Sequence, residues 1–314
     1  MRQRMRVLVT GVNGQVGGAL VAGLSEQAFI VSVDRNRLDL SHIEEIPAVL
    51  DQLEPELIIN AAAYTAVDRA EDERELAFRI NAHAPAAMAH WAAGRGVPLL
   101  HFSTDYVFDG SSDRPWREDD PVAPLSVYGA SKLAGETAIR AAGSPHLIIR
   151  TQWVYAAKGA NFLCTIARLA SQRRELRIVA DQYGAPTSAR VLTALIASII
   201  GAGSASLVEH CQKADGLIHV AASGETTWHG FTVAIVNGLK ARGIELAVET
   251  VTPICTADYP TRARRPANSR LDLTRLLTVF GISTPAWDEA LAVELDALAK
   301  EMVLSSATNF YSAA

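Results

Sequence analysis

The stretch RVLVTGVNGQVG, Arg6 to Gly17, decides the fold. Arg6 to Val9 is a β-branched run that reads as a strand. The glycine-rich heptad Gly11-Val12-Asn13-Gly14-Gln15-Val16-Gly17 follows it and opens a helix expected from Gln15 to Leu24. Glycine lets the backbone turn tightly and come close to a ligand, while the first turn of the helix offers unpaired N–H groups to a pyrophosphate. A lone glycine-rich heptad also suits a plain strand–helix turn; its place between a strand and a helix is what points to a dinucleotide. Asp34 lies 20 residues after Gly14, at the end of a second strand, where a carboxylate can accept from an adenosine ribose hydroxyl. Beside it, Arg35 and Arg37 are able to hold a 2′-phosphate instead, so both NADH and NADPH stay open. Asp39-Leu40 either flank the adenine or form an ordinary capped loop.

Outward from this unit, short apolar runs alternate with helical periods. Strands are expected at Phe29–Val33, Leu57–Asn60, Pro98–Phe102 and His146–Arg150, with a long helix over Glu71–Ala93 and another over Val127–Ala141. Continuous apolar strands between helices imply an α/β fold: a Rossmann-type, doubly wound parallel sheet with helices on both faces. After Arg150 the rhythm loosens. Helices are expected near Asn161–Gln172, Val191–Ile200, Trp228–Arg242, Leu271–Phe280 and Trp287–Met302, and strands near Leu176–Val179 and Leu217–Val220. Residues 1–150 therefore read as the dinucleotide-binding domain, and 151–314 as a smaller, mostly helical substrate lobe free to interleave with it. The segments Asp181–Thr187 and Ala263–Ser269 read as loops, and the small polar tail after Leu304 is expected to fray.

Composition narrows the function classes. The 314 residues carry 29 basic and 34 acidic side chains, a net charge of −5 that gives no electrostatic reason to expect nucleic acid or an anionic membrane as partner. Cys164, Cys211 and Cys255 are far apart and odd in number, with neither metal-ligand spacing nor a disulfide framework, so a reducing cytoplasm is the expected compartment. The opening MRQRMRVLVTG has the charge of a signal peptide, but the apolar run Val7–Val9 is too short for one. Val191 to Val208 lacks charge, yet its glycines and serines suit a core helix followed by a loop better than a membrane span.

The reacting groups come from a second stretch. Tyr128-Gly129-Ala130-Ser131-Lys132 sets a phenol and an ammonium four residues apart, on one helix face. A free phenol titrates near pH ~10, and a nearby cation is expected to pull that down by ~1–3 units. Such a pair suits carbonyl/alcohol interconversion. The preceding strand ends in Ser103-Thr104-Asp105, where the Thr104 hydroxyl can polarise the same substrate oxygen; strand-end capping is the alternative use. Asn60-Ala61-Ala62-Ala63-Tyr64-Thr65 follows the third strand, and its small residues let the backbone lie along a dinucleotide or simply pack tightly.

These motifs resemble the extended short-chain dehydrogenase/reductase family. Within it, the segments Asn60–Glu71, Ser103–Gly110, Tyr128–Glu136, Arg150–Tyr155, Asp181–Thr187 and Arg265–Leu271 are similar to the reductases of dTDP-linked 4-keto-6-deoxy sugars. The resemblance implies hydride transfer to C4 of a nucleotide sugar, with Tyr128 giving a proton to the C4 oxygen, Lys132 on the nicotinamide ribose, and Thr104 assisting. It places Val67, Asp105 and Trp153 beside the sugar, although Trp153 also suits a core aromatic. Gln182, Arg265 and Asn268 serve either the diphosphate or loop structure. Sugar 4,6-dehydratases carry an Asp-Glu pair where this chain has Asp105-Tyr106. Gln152 and Ala156-Ala157-Lys158 depart from the reductase pattern and leave room for a different 4-keto sugar. Some relatives dimerise around Mg²⁺; the sequence admits a homodimer but shows no carboxylate cluster for a metal. The rival reading is a cofactor-binding regulatory subunit, since the methionine adenosyltransferase β subunit resembles the same reductases.

Overall fold

The computed structural model describes residues 4–201 and 204–312. The first half runs β1 (Arg6–Thr10), α1 (Gln15–Leu24), β2 (Phe29–Val33), α2 (Ile46–Leu53), β3 (Leu57–Asn60), α3 (Val67–Ala70), α4 (Arg74–Phe78), α5 (Ala84–Ala93), β4 (Leu99–Thr104), α6 (Val127–Ala142) and β5 (His146–Thr151). The second half comprises β6 (Val154–Tyr155), α7 (Phe162–Ala170), β7 (Glu175–Val179), β8 (Tyr183–Gly184), β9 (Thr187–Ser188), α8 (Ala189–Ile200), α9 (Ser204–Lys213), β10 (Leu217–His219), β11 (Thr226–Thr227), α10 (Trp228–Ala241), β12 (Thr250–Ile254), α11 (Thr274–Phe280) and α12 (Trp287–Ser312).

Six strands form one parallel sheet in the order β10-β5-β4-β3-β1-β2. The strand order reverses beside β1, which has β2 on one side and β3 on the other. That reversal is the switch point where doubly wound sheets open a crevice at their carboxyl ends. Side chains alternate between two cores. Val7, Val9, Leu57, Ile59, Leu100 and Ile149 face α1 and α8, whereas Leu8, Ile58, Leu99 and Ile148 face α2, α5 and α6. Both faces are covered, which is why these strands are apolar without a polar alternation. Each buried aliphatic side chain contributes about 1.5–3 kcal/mol. A separate core joins α7, α10 and α12 through Leu163, Ile166, Phe231, Ile235, Leu291 and Leu295.

The chain crosses back after Arg150. Strand β10 extends the sheet beyond β5, pairing His219 with Arg150, and α8 packs Leu192, Leu195, Ile196 and Ile199 into the same core as Leu20 and Leu24 of α1.

Four expectations need correction. The helix expected over Glu71–Ala93 is α4 and α5 joined by a π turn at Arg79–His83, because the buried Asn81 is drawn out of α-helical register to hold another segment. Helix α2 has no counterpart in the sequence expectation, although Ile46, Leu50 and Leu53 are its buried face. The loop expected after Ile200 contains α9, with Leu207 and Cys211 in the core; Ala202 and Gly203 lie outside the described residues. The helix expected to end at Met302 continues through the predicted tail to Ser312, and Ala313 and Ala314 lie outside the described residues, as do Met1–Gln3 of the basic opening. Among the described residues, no helix is long and apolar enough to cross a membrane.

Candidate active site

The carboxyl ends of β1, β3, β4 and β5 meet at a cleft of about 1500 Å³. One wall is the turn after β1. Gly11 adopts φ +67°, and a Cβ there would lie 2.7 Å from the Ala62 nitrogen, so only glycine lets this turn meet the backbone after β3. Gly14 caps α1 through its backbone alone, with no side chain over the helix end. Gly11, Asn13, Gly14, Gln15 and Val16 line the cleft, while Gly17 lies behind the turn, where a Cβ would press into the Gly11 carbonyl at 2.2 Å. Opposite them run Ala61, Ala62, Ala63 and Thr65, followed by Val67. Gln15 Oε1 is buried without a protein partner. An uncapped helix N-terminus, a side-chain-free cradle and an orphan amide oxygen together fit a dinucleotide pyrophosphate.

The expected ribose and adenine groups lie outside the lining of this cleft. Asp34 Oδ1 accepts from the backbone N–H groups of Asn36 and Arg37, both at 3.1 Å, so it caps its own turn. Arg35 Nε pairs with Asp39 Oδ2 at 3.0 Å. Burial works against the Asp39 charge, but hydrogen bonds from Ser41 and Arg35 hold its carboxyl down at about 2. Leu40 is packed in the core with Leu38 and Ile46. Tyr64 turns away too: its hydroxyl donates to Glu73 at 2.6 Å. None of these five side chains belongs to the cleft wall.

The reacting side chains converge on the other wall. Ser126 caps α6 by accepting from the Gly129 N–H. Gly129 lets that first turn approach β4's extension: a Cβ would sit 2.2 Å from the Tyr106 carbonyl. Tyr128 is thereby set edge-on to Tyr106, with ring centroids 5.6 Å apart, and beside Thr104. The Thr104 hydroxyl donates to Asp105 Oδ1 at 3.0 Å. Lys132 is fully buried one turn along, donating to the Phe102 carbonyl at 2.6 Å, with His101 Nε2 at 3.0 Å. Thr104, Asp105, Tyr128 and Lys132 all line the cleft.

The electrostatics reverse one expectation. Burial pushes Tyr128 up to about 12; the neighbouring Thr104 hydroxyl opposes this and the Asp105 charge reinforces it. Lys132 was expected to lower the phenol, but its nitrogen is engaged at the Phe102 carbonyl and the His101 imidazole instead. Burial also lowers Lys132 to about 8, with the Glu136 charge opposing, and raises Asp105 to about 7 against hydrogen bonds from Ser269 and Thr104. Beneath the site, Arg150 and Glu136 form a buried two-pronged pair at 2.6 and 3.0 Å, and Ser103 donates to the same carboxylate.

At the mouth, Trp153 lies in the cleft wall at φ +45° and stacks on Trp228, with centroids 3.6 Å apart. Gln182 does not reach the cleft: its amide accepts from Trp228 and donates to Thr256, bracing the stacked pair. Arg265 is taken up by Asp68 at 2.7 Å, and Asn268 staples the backbone of Ser112 and Arg114. Three contributors were missed. Trp228 shares the wall with Trp153, and its only sequence signal was a helix start. Lys158 and Arg190 bring cations to the wall, paired with Glu301 and Glu294. Among the described residues, no group of three or more His, Cys, Asp or Glu side chains is placed to hold a metal ion.

Comparison with known proteins agrees with this architecture. Residues 5–300 match the RmlD substrate binding domain family. The chain is 42% identical over 293 residues to a dTDP-4-dehydrorhamnose reductase of Burkholderia thailandensis, covering 92% of this chain and 97% of that protein. It is 42% identical over 289 residues to one from Escherichia coli, covering 90% and 94%. The solved dTDP-4-dehydrorhamnose reductase of Bacillus anthracis, a complex with NADP, superposes with a TM-score of 0.84 at 35% identity over 93% of this chain and 99% of that one. With the match spanning nearly its whole length and the same parallel sheet beneath the cleft, this chain belongs to the RmlD substrate binding domain family.

Proposed function

We propose that this protein is an oxidoreductase that reduces dTDP-4-dehydro-β-L-rhamnose to dTDP-L-rhamnose with NADPH or NADH, Tyr128 giving the proton. The observation that carries the reading is the placement of Tyr128, beside Thr104 and one turn from Lys132, across one cleft from the Gly11–Val16 cradle. The two relatives are dTDP-4-dehydrorhamnose reductases, which supports the substrate, and the NADP complex of the B. anthracis protein supports the cofactor.

Gly11–Val16 and Ala61–Ala63 would hold a reduced nicotinamide dinucleotide, which would supply the hydride for C4. The chain's own residues manage the oxygen. A phenol at about 12 keeps its proton through the neutral range, which is the form a donor to the C4 oxygen needs. Thr104 lies beside that hydroxyl, and Lys132, in the same wall of the cleft, is placed to hold the nicotinamide ribose. Val67, Asp105 and Trp153 shape the sugar end of the cleft. Proton donation of this kind contributes about 10²–10⁴-fold in rate. The test is consumption of NADPH or NADH on adding dTDP-4-dehydrorhamnose. Turnover that Tyr128→Phe reduces by about that factor supports the reading, and wild-type protein without turnover on this sugar refutes it.

A further inference from the structure

Strand β4 carries a titratable side chain that the proposed reaction leaves unused. His101 is fully buried between Asn60 on β3 and Lys132 on α6. Its Nδ1 lies 3.0 Å from Asn60 Nδ2, and its Nε2 lies 3.0 Å from Lys132 Nζ. The Asn60 amide is oriented from its other side. Thr10 Oγ1 donates to Asn60 Oδ1 at 2.7 Å, and the Ala62 backbone N–H donates to the same oxygen at 3.2 Å. A backbone N–H can only donate, so Asn60 Nδ2 faces the imidazole and donates to Nδ1. A neutral imidazole that accepts at one nitrogen carries its proton on the other. Nε2–H therefore points at the Lys132 nitrogen, which donates to Phe102 at 2.6 Å and offers its lone pair to the ring. An ammonium has no lone pair to offer.

We propose that His101 is a positioning residue that governs the charge on Lys132: held as the Nε2–H tautomer by Asn60, it opposes uptake of the third proton by the amine. The inference rests on the role given to Lys132 above. To charge the lysine, His101 must carry its proton on Nδ1. That N–H would oppose Asn60 Nδ2, and turning the amide would set its NH2 group 3.2 Å from the Ala62 N–H, which also donates to Thr10 Oγ1 at 3.2 Å. Burial acts in the same direction on the amine, and it holds the imidazole well below its ordinary value, so the ring stays neutral. The other titratable groups around the amine are Tyr128 and Glu136 on its own helix and Asp105 at the end of β4; Arg150 of β5 pairs with Glu136.

Proton–nitrogen correlation spectra of the histidine rings in the whole wild-type protein read the tautomer directly, with the His101 signals assigned by their loss in His101→Gln. The expected result is a proton on Nε2 on the alkaline side of the Lys132 titration, moving to Nδ1 as the lysine charges, without ring protonation. A proton on Nδ1 at every pH overturns the proposal. A second measurement uses Asn60→Asp, whose carboxylate favours the Nδ1–H tautomer. The alkaline limb of kcat/KM should rise by about one pH unit, and the rise should vanish in Asn60→Asp/His101→Gln. An equal rise in the double variant assigns the effect to the new charge alone and also overturns the proposal. If the protein shows no reductase turnover, the reading of Lys132 fails, while the ring tautomer still decides the role of His101.

Discussion

At Tyr128, burial raises the phenol and the neighbouring Thr104 hydroxyl opposes it, leaving the phenol at about 12, so the hydroxyl enters the neutral range fully protonated. Asp105 shows the same burial effect as a stability term. Its carboxyl is raised to about 7 from an ordinary value near 3.8. Between those values the native protein holds a proton that the unfolded chain has released, so stability falls as pH rises through that window. Asp105→Asn should remove this component; thermal unfolding curves of the two proteins that stay parallel from pH 4 to 7 would refute it. Arg35, tied to Asp39 by a mostly exposed ion pair, remains the candidate for a 2′-phosphate. Arg35→Ala should weaken NADPH by about tenfold more than NADH in binding titrations, and equal losses would remove that role. The shared placement of Tyr128 and Lys132 in the cleft wall was legible because Tyr-x-x-x-Lys fixes a helix face whatever surrounds it. The direction of the Tyr128 shift was not legible, since it depends on burial and on which atoms occupy the lysine.

At the scale of elements, the sheet strands and α1 were readable because their apolar runs are continuous and bounded by glycine or polar turns. Helix α2 is short, with Pro47 in its first turn and its buried Ile46, Leu50 and Leu53 separated by Pro47-Ala48-Val49 and Asp51-Gln52, so its polar–apolar period is weak. The π turn had no sequence signal at all: it exists for a tertiary reason. Asn81 accepts from the Tyr64 N–H at 2.8 Å and donates to the Tyr64 carbonyl and Ser131 Oγ, both at 3.0 Å, clamping the backbone after β3 to α6. Asn81→Ala strands those groups in a buried setting, where each unsatisfied partner costs about 1–3 kcal/mol. Denaturant unfolding should show a loss of about 2–3 kcal/mol together with weaker cofactor binding. A variant as stable as the wild type would mean the clamp is unimportant.

At the scale of the molecule, the two halves share one sheet and one core. The sixth strand and the helix covering α1 come from residues beyond Arg150, a return that the strand–helix rhythm of the first half could not announce. A fragment of residues 1–150 lacks β10 and the four aliphatic side chains of α8 against α1, so it should fail to fold alone; a cooperative thermal transition and dispersed amide spectrum from that fragment would contradict this. The whole chain brings a dinucleotide cradle and a protonated phenol to one cleft, and the most direct test follows the hydride itself. With NADPH deuterated at the transferable position and dTDP-4-dehydrorhamnose as acceptor, the wild-type protein should place deuterium on C4 of the sugar, and Tyr128→Phe should bind NADPH normally while losing that transfer. Deuterium absent from C4, or transfer by Tyr128→Phe at the wild-type rate, would contradict the account.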